Sequence, residues 1–184
     1  MIGGRPGVKL TYADYRTTPD DRRYELLDGE LLDIPSPGEA HQRFQAELGF
    51  FLGSHIRERR IGRLYLSLTE VVLSDVDVVQ PDLLFVSNER MDIIVPSGVH
   101  GGPDLVVEIL SPATAERDTG YKRALYARHG VKEYWLVSTD AGTITVLLLG
   151  ETGYDVVGTF GEGDTLASST PKEFRLEMDL VIRG

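Results

Sequence analysis

A strand–helix–strand unit in the middle of the chain constrains the fold more than any other stretch of this sequence. Asp104 to Leu110 is a short apolar run with Gly-Gly-Pro before it and Ser-Pro after it. That length and those boundaries are typical of a strand that is buried on both faces. A helical stretch follows, and then a second apolar run from Val131 to Val137. Two strands connected in this way are expected to be parallel, with a right-handed crossover.

The helix of this unit is predicted from its end signals. Asp118 or Thr119 is expected to cap it, good helix formers run from Tyr121 to Arg128, and Gly130 is expected to end it. Lys122 then lies in the first turns, near the end of the strand that the helix covers. The aromatic residues of the unit, which are Tyr126, Tyr134 and Trp135, are interpreted as core packing.

One acidic residue lies inside the first apolar strand. Glu108 belongs to a residue type that is almost never fully buried unless it is paired or bound to a metal. A salt bridge to a buried arginine is the ordinary explanation of such a residue. A buried acid and Lys122 at the same sheet end also form half of a catalytic site, which is the alternative interpretation.

Composition limits the class of protein. The chain has 184 residues, which we interpret as a single domain, 1–184, with its own core. It has no apolar stretch long enough to span a membrane and no apolar signal-peptide core at its start, so the cytoplasm is the expected compartment. The absence of cysteine excludes disulfides, thiolate zinc sites and cysteine nucleophiles. The net charge of −10 argues against strong non-specific binding to nucleic acid.

A β-hairpin is predicted near the N-terminus. Asp28-Gly29 lies between the apolar runs Tyr24–Leu27 and Glu30–Ile34, and this pair is a strong hairpin signal. Glu25 points to the same face as Leu27, because side chains alternate along a strand. Glu25 is therefore either a second acid that points inward or half of an ion pair with a neighbouring arginine, Arg22 or Arg23.

A long helix is predicted after the hairpin. Ser36 is expected to cap it, with Pro37 in the first turn and Glu39 completing a capping box, and Gly62 is expected to end it. One face carries a stripe at spacings of three and four, formed by His41, Phe44, Leu48, Phe51 and His55. His41 is either a candidate catalytic residue or an ordinary helix residue with a satisfied side chain.

The remaining segments are mostly predicted strands. Pro81 lacks an N–H and therefore implies an edge or a bulge in its strand. A loop is predicted over residues 87–103, and Thr170-Pro171 could start one helical turn. The predicted strands are Arg63–Leu73, Asp77–Val86, and a two-stranded C-terminal extension, Thr143–Leu149 with Tyr154–Phe160.

Asp82 and Glu108 are expected to lie on neighbouring strands. Two bare carboxylates about 4 Å apart repel each other by roughly 4 kcal/mol at an effective dielectric near 20. Such a pair shares a proton or binds a cation. Oxygen ligands without a nearby His or Cys cluster favour Mg²⁺ or Mn²⁺ over zinc. A divalent ion beside a lysine suits the hydrolysis of a phosphodiester, because the ion activates water and both cations neutralise charge on the phosphate.

These residues carry a family resemblance. Pro81-Asp82 and Glu108 on successive strands resemble the PD-(D/E)XK nuclease pattern. The fuller strings YELLDGEL, QPDLLFV, PDLVVEILSP and GVKEYWLV, together with His41 and Lys122, resemble the Uma-two family of restriction-endonuclease-like bacterial proteins over residues 10–150. The resemblance implies a mixed α/β (α+β) fold, in which helices flank a mixed β-sheet with an N-terminal hairpin and a C-terminal β extension. It also implies a metal-dependent DNA endonuclease site, with Asp82 and Glu108 as ligands.

The sequence departs from the family pattern at the catalytic lysine. The usual lysine lies two residues after the acid, where this chain has Leu110. Lys122 is the natural substitute, because it lies over the same strand end. The third acid of the site is expected to be Glu25; the alternative is Glu47, which lies on the long helix but outside its apolar stripe.

Three functions are compatible with these features. The first is an Mg²⁺- or Mn²⁺-dependent endonuclease that uses Asp82, Glu108, Lys122, Glu25 and His41, and that binds DNA weakly and in a salt-sensitive way. The second is a catalytically inactive binding or assembly module that keeps the fold. The third is a hydrolase of another phosphate-containing substrate. A homodimer is expected, because cutting two strands needs two sites.

Overall fold

Strands dominate the computed structural model, which describes residues 9–19 and 22–183. The helices are α1 (Tyr12–Tyr15), α2 (Glu39–Arg59), α3 (Ala115–Arg117), α4 (Arg123–Arg128) and α5 (Asp179–Ile182). The strands are β1 (Tyr24–Leu27), β2 (Glu30–Asp33), β3 (Gly62–Leu66), β4 (Val71–Ser74), β5 (Asp77–Val79), β6 (Leu83–Ser87), β7 (Ile94–Val95), β8 (Gly98–His100), β9 (Leu105–Ile109), β10 (Glu133–Ser138), β11 (Thr143–Leu149), β12 (Tyr154–Phe160), β13 (Thr165–Ser168) and β14 (Phe174–Glu177).

The strands form two six-stranded sheets and a two-stranded ribbon. The first sheet has the order β2-β1-β5-β4-β8-β7, and the second has the order β12-β11-β10-β9-β6-β3. The ribbon is formed by β13 and β14. Each large sheet contains one parallel pair, β4 with β8 and β9 with β10, among antiparallel pairs. The predicted mixed sheet with flanking helices is therefore confirmed.

The second sheet is covered on both faces, because alternate residues of its strands point in opposite directions. On β9, Leu105, Val107 and Ile109 pack with the buried stripe of α2. Val106 packs on the opposite side, with the first sheet and with α4. The same alternation directs Glu108 to the side of the first sheet, which explains why an apolar strand carries one acid.

The N-terminal hairpin is confirmed. Strands β1 and β2 pair antiparallel, with Leu27 opposite Glu30. Asp28 and Gly29 both have positive φ, 50° and 77°, as a two-residue turn between twisted strands requires. A Cβ atom at position 29 would also lie 2.5 Å from Cβ of Lys9, so glycine is needed there for two separate reasons.

The parallel pair and its crossover are confirmed, but the helix begins earlier than predicted. Strands β9 and β10 are parallel, with Val107 opposite Trp135. The helical run begins at Ala115, passes through a π-helical turn at Asp118–Lys122 and continues as α4. Asp118 is therefore inside the helical run and does not cap it; its carboxylate is buried. We refer to residues 115–128 as the crossover helix.

The long helix is confirmed, but the predicted capping residues are wrong. It begins at Glu39, with Gly38 as an N-cap that makes no side-chain hydrogen bond. Ser36 does not cap, because the chain is non-helical until Gly38. The helix ends at Arg59, and its C-cap Arg60 takes the left-handed conformation with φ 54°. Gly62, the predicted stop, already belongs to β3.

Two predicted strands are each divided between the sheets. Residues 63–73 form the end of β3 and most of β4, and residues 77–86 form β5 and most of β6. Leu68 has a φ of 78°, and this turn redirects the chain from the second sheet to the first. Pro81 cannot donate to a ladder, and the chain returns to the second sheet at that point. The predicted edge or bulge at Pro81 is thus a change of sheet, which leaves Asp82 at the start of β6.

The segments predicted as irregular contain more regular structure than expected. Residues 87–103 contain a 3₁₀ turn at Asn88–Ile93 and the strands β7 and β8. The C-terminal region contains β13, β14 and α5, and Thr170-Pro171 lies in the connection between β13 and β14. A hydrogen-bonded turn does run from Pro171 to Phe174, but it is not helical, because Glu173 has a φ of 61°. The extension formed by β11 and β12 is confirmed. Within the described residues, no helix is long and apolar enough to cross a membrane.

Candidate active site

The two acids of the motif meet where β6 begins and β9 ends. These strands are antiparallel, with Leu83 opposite Val107, and one further step in that register sets Asp82 opposite Glu108. The backbone N–H of Ile109 donates to Oδ2 of Asp82 over 2.8 Å. The change of sheet at Pro81 is therefore what brings Asp82 beside the buried acid of β9.

A cavity of about 350 Å³ opens at this sheet end. Its walls come from the hairpin with the segment after it, from the end of β9, and from the start of the crossover helix. All five predicted site residues line it, together with one acid that was not predicted: Glu25, His41, Asp82, Glu108, Lys122 and Asp118.

Lys122 lies among three carboxylates and is only 4% exposed. Its Nζ is 2.7 Å from Oε1 of Glu25, 3.0 Å from Oε1 of Glu108 and 3.3 Å from Oδ1 of Asp118. These acids come from β1, from β9 and from the same helical run one turn earlier. Lys122 therefore contacts Glu108 directly, at the sheet end where the two were expected to lie together.

Charge in this cluster is unbalanced, because three buried acids share one ammonium. Burial raises the pKa of Glu108 well above its usual range against the opposing effect of Lys122, and Asp118, Asp82 and Glu25 raise it further. Burial also raises the pKa of Asp118, which Lys122 opposes. Burial would lower the pKa of Lys122, but the carboxylates around it outweigh burial and raise it well above its usual range. The lysine is held charged, and the excess negative charge calls for a proton or a second cation.

Asp82 is held from several sides, one of which is the long helix. Nε2 of His41 lies 3.1 Å from Oδ2 of Asp82, and the two side chains are 15 and 14% exposed. Gln45, one turn further along α2, donates to the backbone oxygen of Asp82 over 2.8 Å. Nδ1 of His41 is buried and has no hydrogen-bond partner among the described residues. His41 therefore lines the cavity with Nε2 paired to Asp82, while its other ring nitrogen is buried with its hydrogen-bonding capacity unused.

Glu25 is directed inward and is paired with the lysine. Its Oε1 accepts the backbone N–H of Gln80 over 3.0 Å as well as contacting Lys122. The alternative partners are engaged elsewhere, since Arg22 pairs with Asp33 at 3.6 Å and Arg23 donates to Gln80. Glu47, the other candidate for the third acid, is not among the residues that line the cavity.

Two further residues of the site were missed by sequence reasoning. Asp118 was interpreted as a possible helix cap, although its position four residues before Lys122 is the spacing of a pair on one helix face. Tyr126 was interpreted as core packing only. It is fully buried, and its hydroxyl donates to Oε1 of Glu108 over 2.7 Å. No local sequence signal indicates the hydrogen bond from Tyr126 to Glu108, because it depends on the packing of the helix over β9.

The chemistry of these donors fits a hard divalent cation, within a limit. The acids supply oxygen ligands, the cluster carries excess negative charge, and Oδ1 of Asp118 is buried without a hydrogen bond. Among the described residues, however, no group of three His, Asp or Glu side chains is arranged to hold an ion together. An ion at this site would take Asp82 and Glu108 as its protein ligands and complete its shell with water.

The fold and the site define a class of protein. A mixed sheet in which a buried acid on one strand meets an acid at the start of its neighbour, under a helix that supplies a lysine, is a restriction-endonuclease-like nuclease fold. The crystal structure of "a putative nuclease belonging to DUF820" from Anabaena variabilis has this fold: it matches with a TM-score of 0.77 and 22% sequence identity, over 95% of this chain and 98% of that one.

The chain belongs to the Uma2 family, which is described as "Putative restriction endonuclease" and whose profile matches residues 11–179. The resemblance seen in the sequence is thereby confirmed. The type IIG restriction endonuclease BpuSI matches with a TM-score of only 0.42 and 15% identity, over 84% of this chain and 17% of that one. A similarity that low carries no structural argument. A comparison with curated proteins gave no match.

Proposed function

We propose that this protein is a metal-dependent endonuclease that hydrolyses phosphodiester bonds of DNA in the cavity at the end of the second sheet. The observation that carries the proposal is the ammonium of Lys122, which lies 3.0 Å from Glu108 on the strand that pairs with the start of β6 at Asp82. The PD-(D/E)XK pattern has its lysine two residues after the acid, and in this chain the next helix supplies a cation beside that acid. The family description supports a nuclease.

Asp82 and Glu108 would hold the ion, which we propose to be Mg²⁺ or Mn²⁺ because the donors are hard oxygens. When bound, the ion would lower the pKa of a water molecule and neutralise charge on the phosphate. Glu25 stays the predicted third acid. Its Oε1 is engaged by Gln80 and Lys122, so Glu25 would act on the ion through its other carboxylate oxygen, Oε2.

The other side chains would orient the reactants. Lys122 provides a fixed positive charge that can stabilise the charge developing on the phosphate oxygens or orient the attacking water. His41 has a buried ring nitrogen without a partner and lines the same cavity. It is placed to accept or donate one hydrogen bond to the substrate or to water while Asp82 fixes its ring.

The test is a titration of Mg²⁺ and Mn²⁺ with supercoiled plasmid, followed by gel analysis. We expect nicked and then linear plasmid, and no product with a chelator present. Asp82→Asn and Glu108→Gln should each lower the rate by at least about 100-fold, since each removes a charge that acts on the reacting phosphate. Glu47→Gln, a helix acid that does not line the cavity, is the matched control and should cleave normally. Equal rates in all four proteins would place the cleavage elsewhere.

A catalytically inactive module is the second candidate. It is favoured by the ammonium of Lys122, which three acids already neutralise, and by the lack of a three-residue metal group in the described part of the chain. Calorimetry separates the two candidates. If the protein is an active enzyme, the native chain should release or absorb heat on binding Mn²⁺, and Asp82→Asn should lose that signal. An inactive module should bind no ion and cut no plasmid.

A further inference from the structure

We infer that Asp118 is a positioning residue of the site: together with Glu25 it holds the ammonium of Lys122 at the cavity, so that Glu108 is free to serve the ion. Only the last step, in which Glu108 serves the ion, rests on the proposed function. The holding of Lys122 is a property of the chain itself and can be measured without cleavage.

The geometry around Lys122 separates the roles of the three acids. Glu108 accepts a hydrogen bond from Tyr126 and lies on the strand that pairs with β6, so it faces both the lysine and the side of Asp82. Asp118 belongs to the same helical run as Lys122, with its Oδ1 3.3 Å from the ammonium, and it does not lie on a strand next to Asp82. An ion taken up between Asp82 and Glu108 would compete with Lys122 for Glu108 but not for Asp118.

The backbone around Asp118 is held firmly. Its N–H donates to the carbonyl of Thr114 over 3.0 Å, and its carbonyl accepts the hydroxyl of Tyr134 over 3.0 Å. Asp118 also begins the π-helical turn that ends at Lys122, and single π turns inside α-helices occur frequently at functional sites. The Asp118 carboxylate is thus positioned at the cavity by a rigid part of the fold.

The buried side chain of Asp118 lies against the ammonium of Lys122 and the side chain of Thr114. The residue is 2% exposed, and Oδ1 makes no hydrogen bond among the described residues. Asp104 provides a comparison, since it is 1% exposed but accepts the backbone N–H of Ser87 and a hydrogen bond from Lys132. A buried carboxylate is costly to keep unless a charge compensates it, and the ammonium 3.3 Å from Oδ1 is that charge. The contact with Lys122 is what it does for the molecule.

Lysine labelling tests the inference. The chain has only four lysines, at positions 9, 122, 132 and 172, so reductive methylation followed by peptide mass spectrometry reports each one separately. Lys122 should be protected in the native protein, and Lys132, whose side chain is 57% exposed, should react. Asp118→Asn keeps the volume but removes the charge, and it should raise the labelling rate of Lys122 by at least about tenfold, because a buried pair has lost one partner.

Asp104→Asn is the matched control. It also removes a buried charge, but its partner is Lys132, so the labelling of Lys122 should not change. Asp118→Glu restores the charge and should restore part of the protection. Unchanged labelling of Lys122 in Asp118→Asn, with circular dichroism showing a native fold, would overturn the inference. Equal increases in Asp118→Asn and Asp104→Asn would also overturn it, because they would indicate general loosening.

Two added measurements keep this result apart from the proposed function. With Mn²⁺ present, Lys122 should stay protected in the native protein and become still more reactive in Asp118→Asn, because the ion then competes for Glu108. In plasmid cleavage, Asp118→Asn should lower kcat and leave KM unchanged. If Lys122 is released in Asp118→Asn without metal, but neither protein responds to Mn²⁺ or cuts plasmid, then the holding role stands and the nuclease proposal fails.

Discussion

Lys122 shows how a lysine from a distant sequence position can reach the end of a strand. The PD-(D/E)XK pattern has its lysine two residues after the acid, where this chain has Leu110, but the crossover helix follows that strand and packs back over it. A lysine stem is long enough to cross apolar surface and bring its ammonium to the strand end. The contact of 3.0 Å with Glu108 is the outcome.

Substitution of Lys122 should separate its chemistry from its structural role. Lys122→Met keeps the apolar stem and removes the charge, so any metal-dependent cleavage should fall by at least about 100-fold. The free energy of unfolding should fall by about 3–5 kcal/mol, because the acids lose their cation. Urea denaturation and plasmid cleavage, both measured at low temperature where the variant stays folded, check the two effects.

Lys122→Arg provides the sharper comparison. A guanidinium is planar and larger than an ammonium, so it should recover stability better than it recovers cleavage. Lys132→Ala is the control, since it removes a lysine that pairs with a buried acid away from the cavity. Normal cleavage by Lys122→Met would show that the lysine on the crossover helix takes no part in the chemistry.

At the scale of elements, Asp77 at the start of β5 connects the walls of the site. Its Oδ1 accepts the backbone N–H of Asp28 in the hairpin turn over 2.9 Å and the hydroxyl of Tyr121 in the crossover helix over 2.7 Å. Burial would raise the pKa of Asp77, but these hydrogen bonds, a third from Ser74 and the charge of Arg128 outweigh it and lower the pKa. The hairpin that carries Glu25 is thereby tied to the helix that carries Lys122.

Asp77→Asn should lower the free energy of unfolding at pH 7 by about 1–3 kcal/mol, since charge-assisted hydrogen bonds are lost. A carboxyl group whose pKa is lowered by folding contributes stability above its unfolded pKa, ordinarily about 3.9, and loses it as the pH falls through the folded pKa. The difference in the free energy of unfolding between the native protein and the variant should therefore become smaller below about pH 4. Urea denaturation over a pH series measures it.

Asp75→Asn is the control in the same turn, because Asp75 is exposed. Its effect should stay within about 0.5 kcal/mol at every pH. A gap for Asp77→Asn that widens towards acid would show that the folded protein does not lower the pKa of this carboxyl group.

Glu133 attaches the C-terminal ribbon to the second sheet. It is fully buried at the start of β10, and its carboxylate accepts hydrogen bonds from the side chains of Trp135, Ser168 and Ser169 and from the backbone N–H groups of Ser169 and Thr170. A carboxylate with that many donors is satisfied without a counter-ion.

Glu133→Gln should lower the free energy of unfolding by about 2–4 kcal/mol, because an amide nitrogen replaces an acceptor and faces donors. Limited proteolysis should then cut first in the connection between β13 and β14. Glu177→Gln, on the exposed face of β14, is the control and should change neither measurement. Loss of stability without new cleavage in the ribbon would show that this carboxylate does not anchor it.

At the scale of the whole molecule, charge opposes the proposed substrate. The chain has 29 acidic and 19 basic residues and a net charge of −10, and phosphate-rich DNA is repelled by such a surface outside any local basic patch. The residues that line the cavity also include more acids than bases. A bound divalent ion would reverse that local balance.

DNA binding should therefore be weak, sensitive to salt and dependent on metal. Fluorescence anisotropy with a labelled duplex, at 50 and 200 mM salt, should show affinity falling with salt and rising when Mg²⁺ is added. The Asp82→Asn variant should lose the response to Mg²⁺ while its salt dependence stays. Tight binding that persisted at high salt would contradict the charge argument. Equilibrium sedimentation of the same samples tests the predicted homodimer. The predicted compartment is the cytoplasm.

Local pattern was enough for the features that depend on neighbouring residues. The Asp28-Gly29 hairpin, the β9–helix–β10 unit and the β11–β12 pair follow from turn chemistry and from hydrophobic period, which act over a few residues. Glu108 could be singled out for the same reason, because an acid inside an apolar strand is visible in the sequence. Asp82 and Lys122 were indicated by their predicted places on the neighbouring strand and at the start of the covering helix, and the family resemblance added their roles.

Other features depend on contacts between distant parts of the chain. The change of sheet at Pro81, the broken strands and the start of the crossover helix are set by which sheet each segment can pair with, and no local period encodes that choice. Asp118 and Tyr126 join the site because the helix packs over β9, which turns a predicted cap and a predicted core aromatic inward. Side-chain partners of buried charges are chosen by the fold as a whole, since desolvation penalises any acid that the packing leaves alone.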